Sequence, residues 1–401
     1  MEPSRMARSA VRRRLVIDTG LWYEHARLPG DRRAADTAHV TAAPSSSLLG
    51  PGSRATTAIR RALGLVAIAV FVTAAIPIVT TFPVAIDLII PLKAAERWLA
   101  GGVVYVADGF SDLQVLPPFL YPPFVLPVVA PFTVLPELLV RWVWFALTVG
   151  GGIFACRRLA IPWLIVPGVL LWSPMLGGIW GGNVQIFLFA AFTLAFWRAP
   201  PRQDLRPEPV DLDAPGGVTA RTGFLAAAVG SVKISQIQVW LAVLRRSPRA
   251  ALLGLTPWLA IVVVTLPLVG VGLYGSWLDQ VARASDPAWP AMGPSLLAYL
   301  PKTVFAIVTL ASFVLALRVR GPDTGAWLGL LMLLVTPNLH DFNGVFLLPA
   351  MLLIRREFAL LAAILTSTYT AQGMWLGIAI VVGSMFVGLR WPAIREPVAD
   401  I

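Results

Sequence analysis

Thr81-Phe-Pro-Val-Ala-Ile-Asp87-Leu-Ile-Ile-Pro-Leu-Lys93-Ala-Ala-Glu96-Arg97-Trp-Leu-Ala-Gly101-Gly102 begins where a long apolar run stops. The run before it, near 62–82, has the length of a membrane span, about 20 apolar residues. Asp87 therefore falls within a few residues of the expected membrane surface. Leu88 to Leu99 carries Lys93, Glu96 and Arg97 among apolar residues, an amphipathic segment, and Tyr105, Asp108 and Asp112 follow it. The chain re-enters apolar sequence at Tyr121-Pro122-Pro123. A polar loop with one well-placed carboxylate, set between the first two membrane segments of an otherwise oily chain, reads as a site rather than a linker.

Composition decides the class. Of 401 residues, 57% are hydrophobic and 13% are charged, and mean hydropathy is +0.75. A soluble chain of this size carries about 25% charged residues, so this is a polytopic integral membrane protein. The net charge of +11 resides in arginines of the N-terminal arm and of short loops between apolar runs. That distribution fits topology signals and anionic-lipid contact, not a groove for nucleic acid. The single cysteine, Cys156, excludes an intrachain disulfide framework. The preference for Arg over Lys, with abundant Ala, Val, Leu, Gly and Pro, points to a GC-rich bacterial genome and a multi-pass protein of the bacterial plasma membrane.

Residues 1–58 read as a disordered basic arm and 59–395 as the multispan domain, with 396–401 a short tail. His25 and His39 lie in the arm and receive no role. Candidate spans fall near 62–82, 119–138, 140–156, 159–177, 183–197, 222–244, 250–274, 301–317, 325–338, 343–354, 357–373 and 374–390. Basic residues of short loops orient them: Arg60-Arg61, Arg245-Arg246 with Arg249, Arg318 with Arg320, Arg355-Arg356, and Arg390 with Arg395 are expected on the cytoplasmic side. The outer side then holds Asp87, the loop 275–300 and the His340-Asp341 corner. The first half breaks the rule: six spans between Arg61 and Arg245 leave Arg157-Arg158 and the loop 198–221 outside. A re-entrant segment would change that count. The suspects are Tyr121 to Pro136, with its five prolines, and the run around Lys233.

Chemistry-bearing residues are few. Asp87 can act as general base on a hydroxyl that reaches it; as a purely structural residue it would end or cap a helix. Lys233 sits inside the apolar run Ala226-Ala-Ala-Val-Gly-Ser-Val-Lys-Ile-Ser, where a cation is costly unless it pairs or faces a polar cavity. A lipid phosphate is its natural partner; snorkelling to the interface is the bland alternative. Thr336-Pro-Asn-Leu-His340-Asp341-Phe-Asn packs four polar groups between apolar runs, which reads as a lined cavity or as an ordinary turn. Trp180-Gly-Gly-Asn183-Val-Gln185 reads as a break between spans. Trp277, Trp289, Pro290 and Tyr299 read first as an interfacial aromatic belt. No Gly-rich phosphate loop, zinc spacing or Ser/His/Asp set is present in the sequence. Asp211-Leu-Asp213 matches a metal-holding Asp-x-Asp pattern but lies in a Pro-rich loop without strand context, so no metal and no other cofactor is assigned. Without nucleotide machinery, an activated sugar would arrive as a lipid phosphate.

The order of these features resembles the polyprenyl-phosphate-dependent, GT-C type enzymes of glycosyltransferase family 87. The residues that carry the resemblance are Asp87 with the amphipathic segment, Leu99-Ala-Gly-Gly and Tyr105; Tyr121-Pro122-Pro123-Phe with Pro131 and Pro136; Gly182-Asn183; Gly230-Ser-Val-Lys233; and Thr336-Pro337 with His340. It spans roughly residues 62–390. Two departures bear on substrate identity: Gly181-Gly182-Asn183-Val-Gln185 replaces a Gly-Gln-x-Asn pattern, and Gln236 stands where a proline often follows the membrane lysine.

The resemblance implies an all-α, GT-C-like bundle of about 10–12 transmembrane helices with an amphipathic helix in the first outer loop. It implies an inverting transfer of a hexose, mannose above all, from a polyprenyl-phosphate donor to a glycolipid or glycan hydroxyl at the outer leaflet. Asp87 would be the base, and Lys233 and His340 would meet the leaving phosphate, with Lys93 and Arg97 in reserve. Tyr121, Asn183 and Asp341 complete the expected substrate-binding set. A monophosphate leaving group carries little enough charge for protein cations to replace a metal. The competing reading is a multispan lipid or sugar transporter, which also uses broken helices and midplane cations.

Overall fold

The computed structural model describes residues 54–106, 118–198, 208–286 and 293–390. The arm up to residue 53, Asp108, Asp112, Trp289, Pro290 and Arg395 lie outside those residues. The helices are α1 (Arg54–Thr81), α2 (Ile86–Leu99), α3 (Val125–Val129), α4 (Glu137–Arg158), α5 (Val166–Leu171), α6 (Ser173–Gly181), α7 (Gln185–Phe196), α8 (Ala220–Val232), α9 (Gln238–Arg246), α10 (Pro248–Val269), α11 (Val271–Ala284), α12 (Lys302–Arg318), α13 (Thr324–Val335), α14 (Leu348–Met351), α15 (Arg356–Thr366) and α16 (Ala371–Arg390). The first helix thus begins at Arg54, inside the stretch read as an unstructured arm. Among the described residues the strands are one short antiparallel pair, Trp197–Arg198 with Glu208–Pro209.

This is an all-α polytopic membrane protein. Four helical stretches among the described residues are long and apolar enough to cross a bilayer: Ala55–Leu99, Glu137–Arg158, Pro248–Val269 and Ala371–Gly388. Their outward faces are oily, with Leu65 70% and Val264 70% exposed. Only lipid makes such surfaces tolerable, since apolar area costs about 25 cal/mol per Å² against water. The core lies between α4, α6, α7, α8 and α13, where Phe189 and Phe192 both meet the Phe346 ring edge to face, at 5.6 and 5.1 Å. Small residues bring backbones together in place of a hydrophobic driving force: Gly223 of α8 lies against Ala250 of α10, and Gly254 of α10 against Gly223 and Phe224.

Several expected spans are not continuous helices of membrane length, and at two of them, the ones suspected from the sequence, the break has a visible cause. The run 119–138 yields the five-residue α3 and a 3-10 turn, Ala130–Val134; five prolines remove the amide donors a longer helix needs. The run 222–244 breaks at Lys233, which is extended (φ −127°, ψ 104°) and followed by a 3-10 turn, Ile234–Gln236. Gly230 of α8 packs on Ile237 at the start of α9, and Trp240 of α9 donates to the Ala251 carbonyl of α10. Helices α8 and α9 therefore form a hairpin that enters and leaves at one end, with Lys233 at its tip.

That hairpin removes the conflict in charge topology. Asp213 pairs with Arg246 at 3.0 Å and accepts the Gly321 N–H at 3.0 Å, so the 208–221 loop shares an end with the α9–α10 and α12–α13 corners. Arg158 lies close enough to Arg221 for their charges to interact. The arginines at the ends of α4, α9 and α12 thus gather at one end of the bundle, the basic end, and of the two explanations left open for Arg157-Arg158 and the following loop, the re-entrant segment is the one the described residues support.

The other end carries a roof. Helix α2 buries Leu88, Ile90, Leu92, Ala94 and Ala95, and its apolar face joins Tyr105, Phe119 and Leu126 with Leu273 and Trp277 of α11 in a second, smaller core. The Trp277 indole donates to the Leu120 carbonyl at 3.0 Å, and the Gln280 amide to the Val106 carbonyl at 3.1 Å. Beneath the roof three helices stop short. Helices α7, α8 and α13 have 12, 13 and 12 residues, about 18–20 Å at 1.5 Å per residue, against a hydrocarbon core of roughly 30 Å. All three run between the basic end and an inner tip, and the tips carry Asn183, Lys233 and the Thr336–His340 corner.

Candidate active site

Asp87 occupies the first turn of α2, where the helix dipole favours negative charge. The corner before it is stitched down by three hydrogen bonds, to Arg141 and Trp180. The Arg141 guanidinium donates to the Val84 carbonyl at 2.7 Å, the Trp180 indole to the Phe82 carbonyl at 2.8 Å, and the Ala85 N–H to the Trp180 carbonyl at 2.7 Å. Trp144 holds the facing corner through the Gly182 carbonyl at 2.7 Å. Gly182 is required there: its φ is +70°, and a Cβ would stand 2.8 Å from the Ala85 Cα.

Asn183 completes the contact, donating from Nδ2 to Asp87 Oδ2 at 2.7 Å while its Oδ1 accepts the Gln185 N–H at 2.9 Å. Asp87 Oδ1 accepts no hydrogen bond from the described residues. Lys233, at the hairpin tip, is close enough to Asp87 for the two charges to interact. Its Nζ lies 3.4 Å from Asn343 Oδ1 and 5.1 Å above the Phe342 ring, a cation–π arrangement. The Phe342 ring stacks in turn on His340, 5.1 Å between centroids at 24°. Lys233 also acts on His340, and Asp87 on Tyr121.

Lys233 opens onto a cleft of about 140 Å³ whose lining includes Tyr121, Ser235, Trp277, Thr336 and Asn338. Tyr121 thus belongs both to the cleft and to the surroundings of Asp87. Trp277, read from sequence as a belt residue, is part of the wall. A carboxylate with one free oxygen and a half-buried cation beside an apolar-walled cleft can deprotonate a hydroxyl and hold an oxyanion.

A model of glycosyltransferase family 87 matches residues 119–337, more than half of the 401-residue chain. The chain belongs to glycosyltransferase family 87. No curated protein and no solved structure matches it. Tyr121, Asn183 and Lys233 fall inside the family-matched stretch, whereas Asp87 and His340 fall outside it, and the fold joins the two sets. Family membership makes this membrane protein a glycosyltransferase and favours glycosidic chemistry over the transporter reading.

Three of the expected residues stand apart from the cluster. Lys93 pairs with Glu96 at 2.9 Å on the exposed side of α2; six residues from Asp87, it projects about 120° away around the helix. Arg97 is ten residues, about 15 Å, further along the same helix. Asp341 follows His340 but interacts with Tyr369, whose hydroxyl donates to the Ala74 carbonyl at 3.3 Å. Asn343, one of the four polar groups of the Thr336–Asn343 stretch, and Phe342 hold Lys233 but were given no role of their own; Asn343 stands three residues from His340, the register of the 3-10 helix Asp341–Leu347. Asp211 and Asp213 are otherwise engaged: Asp211 Oδ1 accepts the Asp213 N–H at 2.9 Å. Desolvation works to raise the Asp213 pKa, but the Gly321 N–H and Arg246 outweigh it and hold the carboxyl below the usual carboxylate range.

Proposed function

We propose that this glycosyltransferase moves a hexose, mannose in our reading, from a polyprenyl-phosphate donor to a glycolipid or glycan hydroxyl, with inversion, at the outer face of a bacterial plasma membrane. Asp87 Oδ1 takes the proton of the acceptor hydroxyl as its oxygen attacks the anomeric carbon. The bond from that carbon to the lipid phosphate breaks, and the phosphate leaves with the electron pair. Lys233, with His340 beside it, meets the charge that develops on the departing oxygen. Tyr121 and Trp277 form the wall against which the sugar lies.

The observation that carries this reading is the half-satisfied Asp87 carboxylate facing a cation that no carboxylate neutralises by direct contact among the described residues. Its orientation is supported by the arginines gathered at the opposite, basic end, which the positive-inside rule assigns to the cytoplasm. Purified protein in liposomes, given labelled polyprenyl-phosphate mannose and mixed acceptors, tests it. The wild type forms a glycosidic product, and Asp87→Asn lowers turnover by about 10²–10⁴-fold, the usual contribution of a general base, while remaining folded and membrane-inserted. Undiminished turnover in the variant removes Asp87 from the mechanism.

A further inference from the structure

At the basic end lies a cavity the reaction does not use. It measures about 430 Å³ and is lined by Asp213, Gly216, Arg245, Arg246, Ser247 and Arg320 with apolar neighbours. Its walls come from the 208–219 loop, the α9–α10 corner and the end of α12. Three guanidiniums therefore face one carboxylate. Arg246 is engaged through each of its nitrogens: it donates to Asp213, to the Ala242 carbonyl and to the Val319 carbonyl. Arg245 and Arg320 are exposed and donate no hydrogen bond to the described residues. Asp213 already answers Arg246, so an excess of about two positive charges remains. Ser247 caps the 22-residue α10 at the same place, directing the positive end of its dipole toward the cavity.

We propose that this cavity is a second binding site, for a phosphate oxyanion gripped by Arg245 and Arg320. Guanidinium forks match phosphate oxygens and bind them through two parallel hydrogen bonds, which a point charge cannot do. The cavity lies among the arginine-bearing loops at the helix ends, and basic groups beside the ends of membrane helices attract anionic lipid headgroups. The phosphate is thus presented by an anionic lipid or arrives free, and the chemistry of recognition is common to both. Such a ligand ties the α9–α10 corner to the end of α12, a tie that Asp213 already begins through Arg246 and Gly321. Those corners are the feet of the hairpin carrying Lys233 and of α13, which leads to His340.

The test is the melting temperature of the purified full-length protein in detergent, measured with phosphatidylglycerol, phosphatidylcholine, inorganic phosphate or sodium chloride at matched ionic strength. Wild type gains about 2 °C or more with phosphatidylglycerol over phosphatidylcholine, or with phosphate over chloride. A gain with the lipid alone identifies a headgroup, and a gain with phosphate as well identifies a free-anion site. Arg245→Gln/Arg320→Gln loses the gain while melting like the wild type without ligand, because both side chains are exposed. If the double variant melts lower, the single variants decide, each losing several-fold in the ligand concentration needed for half the shift. No gain in the wild type, or an equal gain in the variants, overturns the proposal.

Discussion

Asn183 donates to Asp87 Oδ2 at 2.7 Å, and the direction of that bond is not a free choice. The other end of the amide, Oδ1, is taken by the Gln185 N–H at the start of α7, so the NH₂ group has to face the carboxylate. A residue that caps one helix thereby orients the first turn of another. Asn183→Ala loses this hold and leaves the Gln185 N–H without its acceptor. Turnover is expected to fall about 10–100-fold, equivalent to roughly 1.4–2.7 kcal/mol, the range of a hydrogen bond to a charged group. The donor KM is expected to stay within about twofold. A fall in donor affinity with unchanged turnover would show that Asn183 binds substrate instead of positioning the base.

Lys233 reports on the opposite partner. Its ammonium is held by an amide oxygen and a ring face, Asn343 and Phe342, not by a carboxylate in hydrogen-bond contact. An anion entering the cleft therefore meets a cation that it does not have to win from an ion pair. Lys233→Gln is expected to raise the donor KM and lower turnover together, with kcat/KM down by about 10²-fold or more. Lys233→Arg keeps the charge and restores part of it. Phe342→Leu removes the ring beneath the cation, worth about 0.5–2 kcal/mol, and costs several-fold in kcat/KM. Steady-state kinetics over a donor series separates the three.

Gly182 links fold to site. Positive φ alone costs a side chain roughly 1 kcal/mol or slightly more, and here a Cβ would also collide with the Ala85 backbone two residues before Asp87. Gly101 has a similar φ of +71° with nothing within 4 Å of a Cβ, so it isolates the first effect. Gly101→Ala is expected to cost about 1 kcal/mol, and Gly182→Ala about 2–4 kcal/mol together with most of the activity. Melting curves of the two variants in detergent check the difference; equal shifts would mean that the corner yields to the added methyl.

Much of this was legible in the sequence for a simple reason: a polar residue within an apolar run is costly and stands out. Asp87, Asn183, Lys233 and His340 all announce themselves in that way, and the fold brings them together. Lys93 and Arg97 were drawn in by proximity along the chain, but helical geometry turns Lys93 away and carries Arg97 down the helix. Asn343 was visible as one of four polar groups in the Thr336–Asn343 stretch but without a partner assigned to it, and Phe342 stayed hidden because an apolar ring in a largely apolar stretch carries no mark of its own. The breaks at Tyr121–Pro136 and at Lys233 were suspected from the sequence, by proline density in the first case and a lysine inside an apolar run in the second, and both are breaks in the fold. Hydropathy alone counts them as spans because it measures oiliness, not whether a backbone continues as a helix.

The corrected topology has its own consequence for labelling. Counting spans by hydropathy alone puts the loop 198–221 on the side of Asp87, whereas the Asp213 contacts to Arg246 and Gly321 put its described part, 208–221, at the basic end. Cys156 is buried and is the single cysteine, so a Cys156→Ser background is a clean host for introduced thiols. Val103, 72% exposed in the loop after α2, and Ala220, exposed at the start of α8, then bracket the bundle. In intact cells a membrane-impermeant maleimide is expected to modify Val103→Cys at once, and Ala220→Cys only after permeabilisation. Labelling of both from outside would restore the six-span count and separate the α8–α9 hairpin from the basic end, whereas the reverse pattern would turn Asp87 toward the cytoplasm.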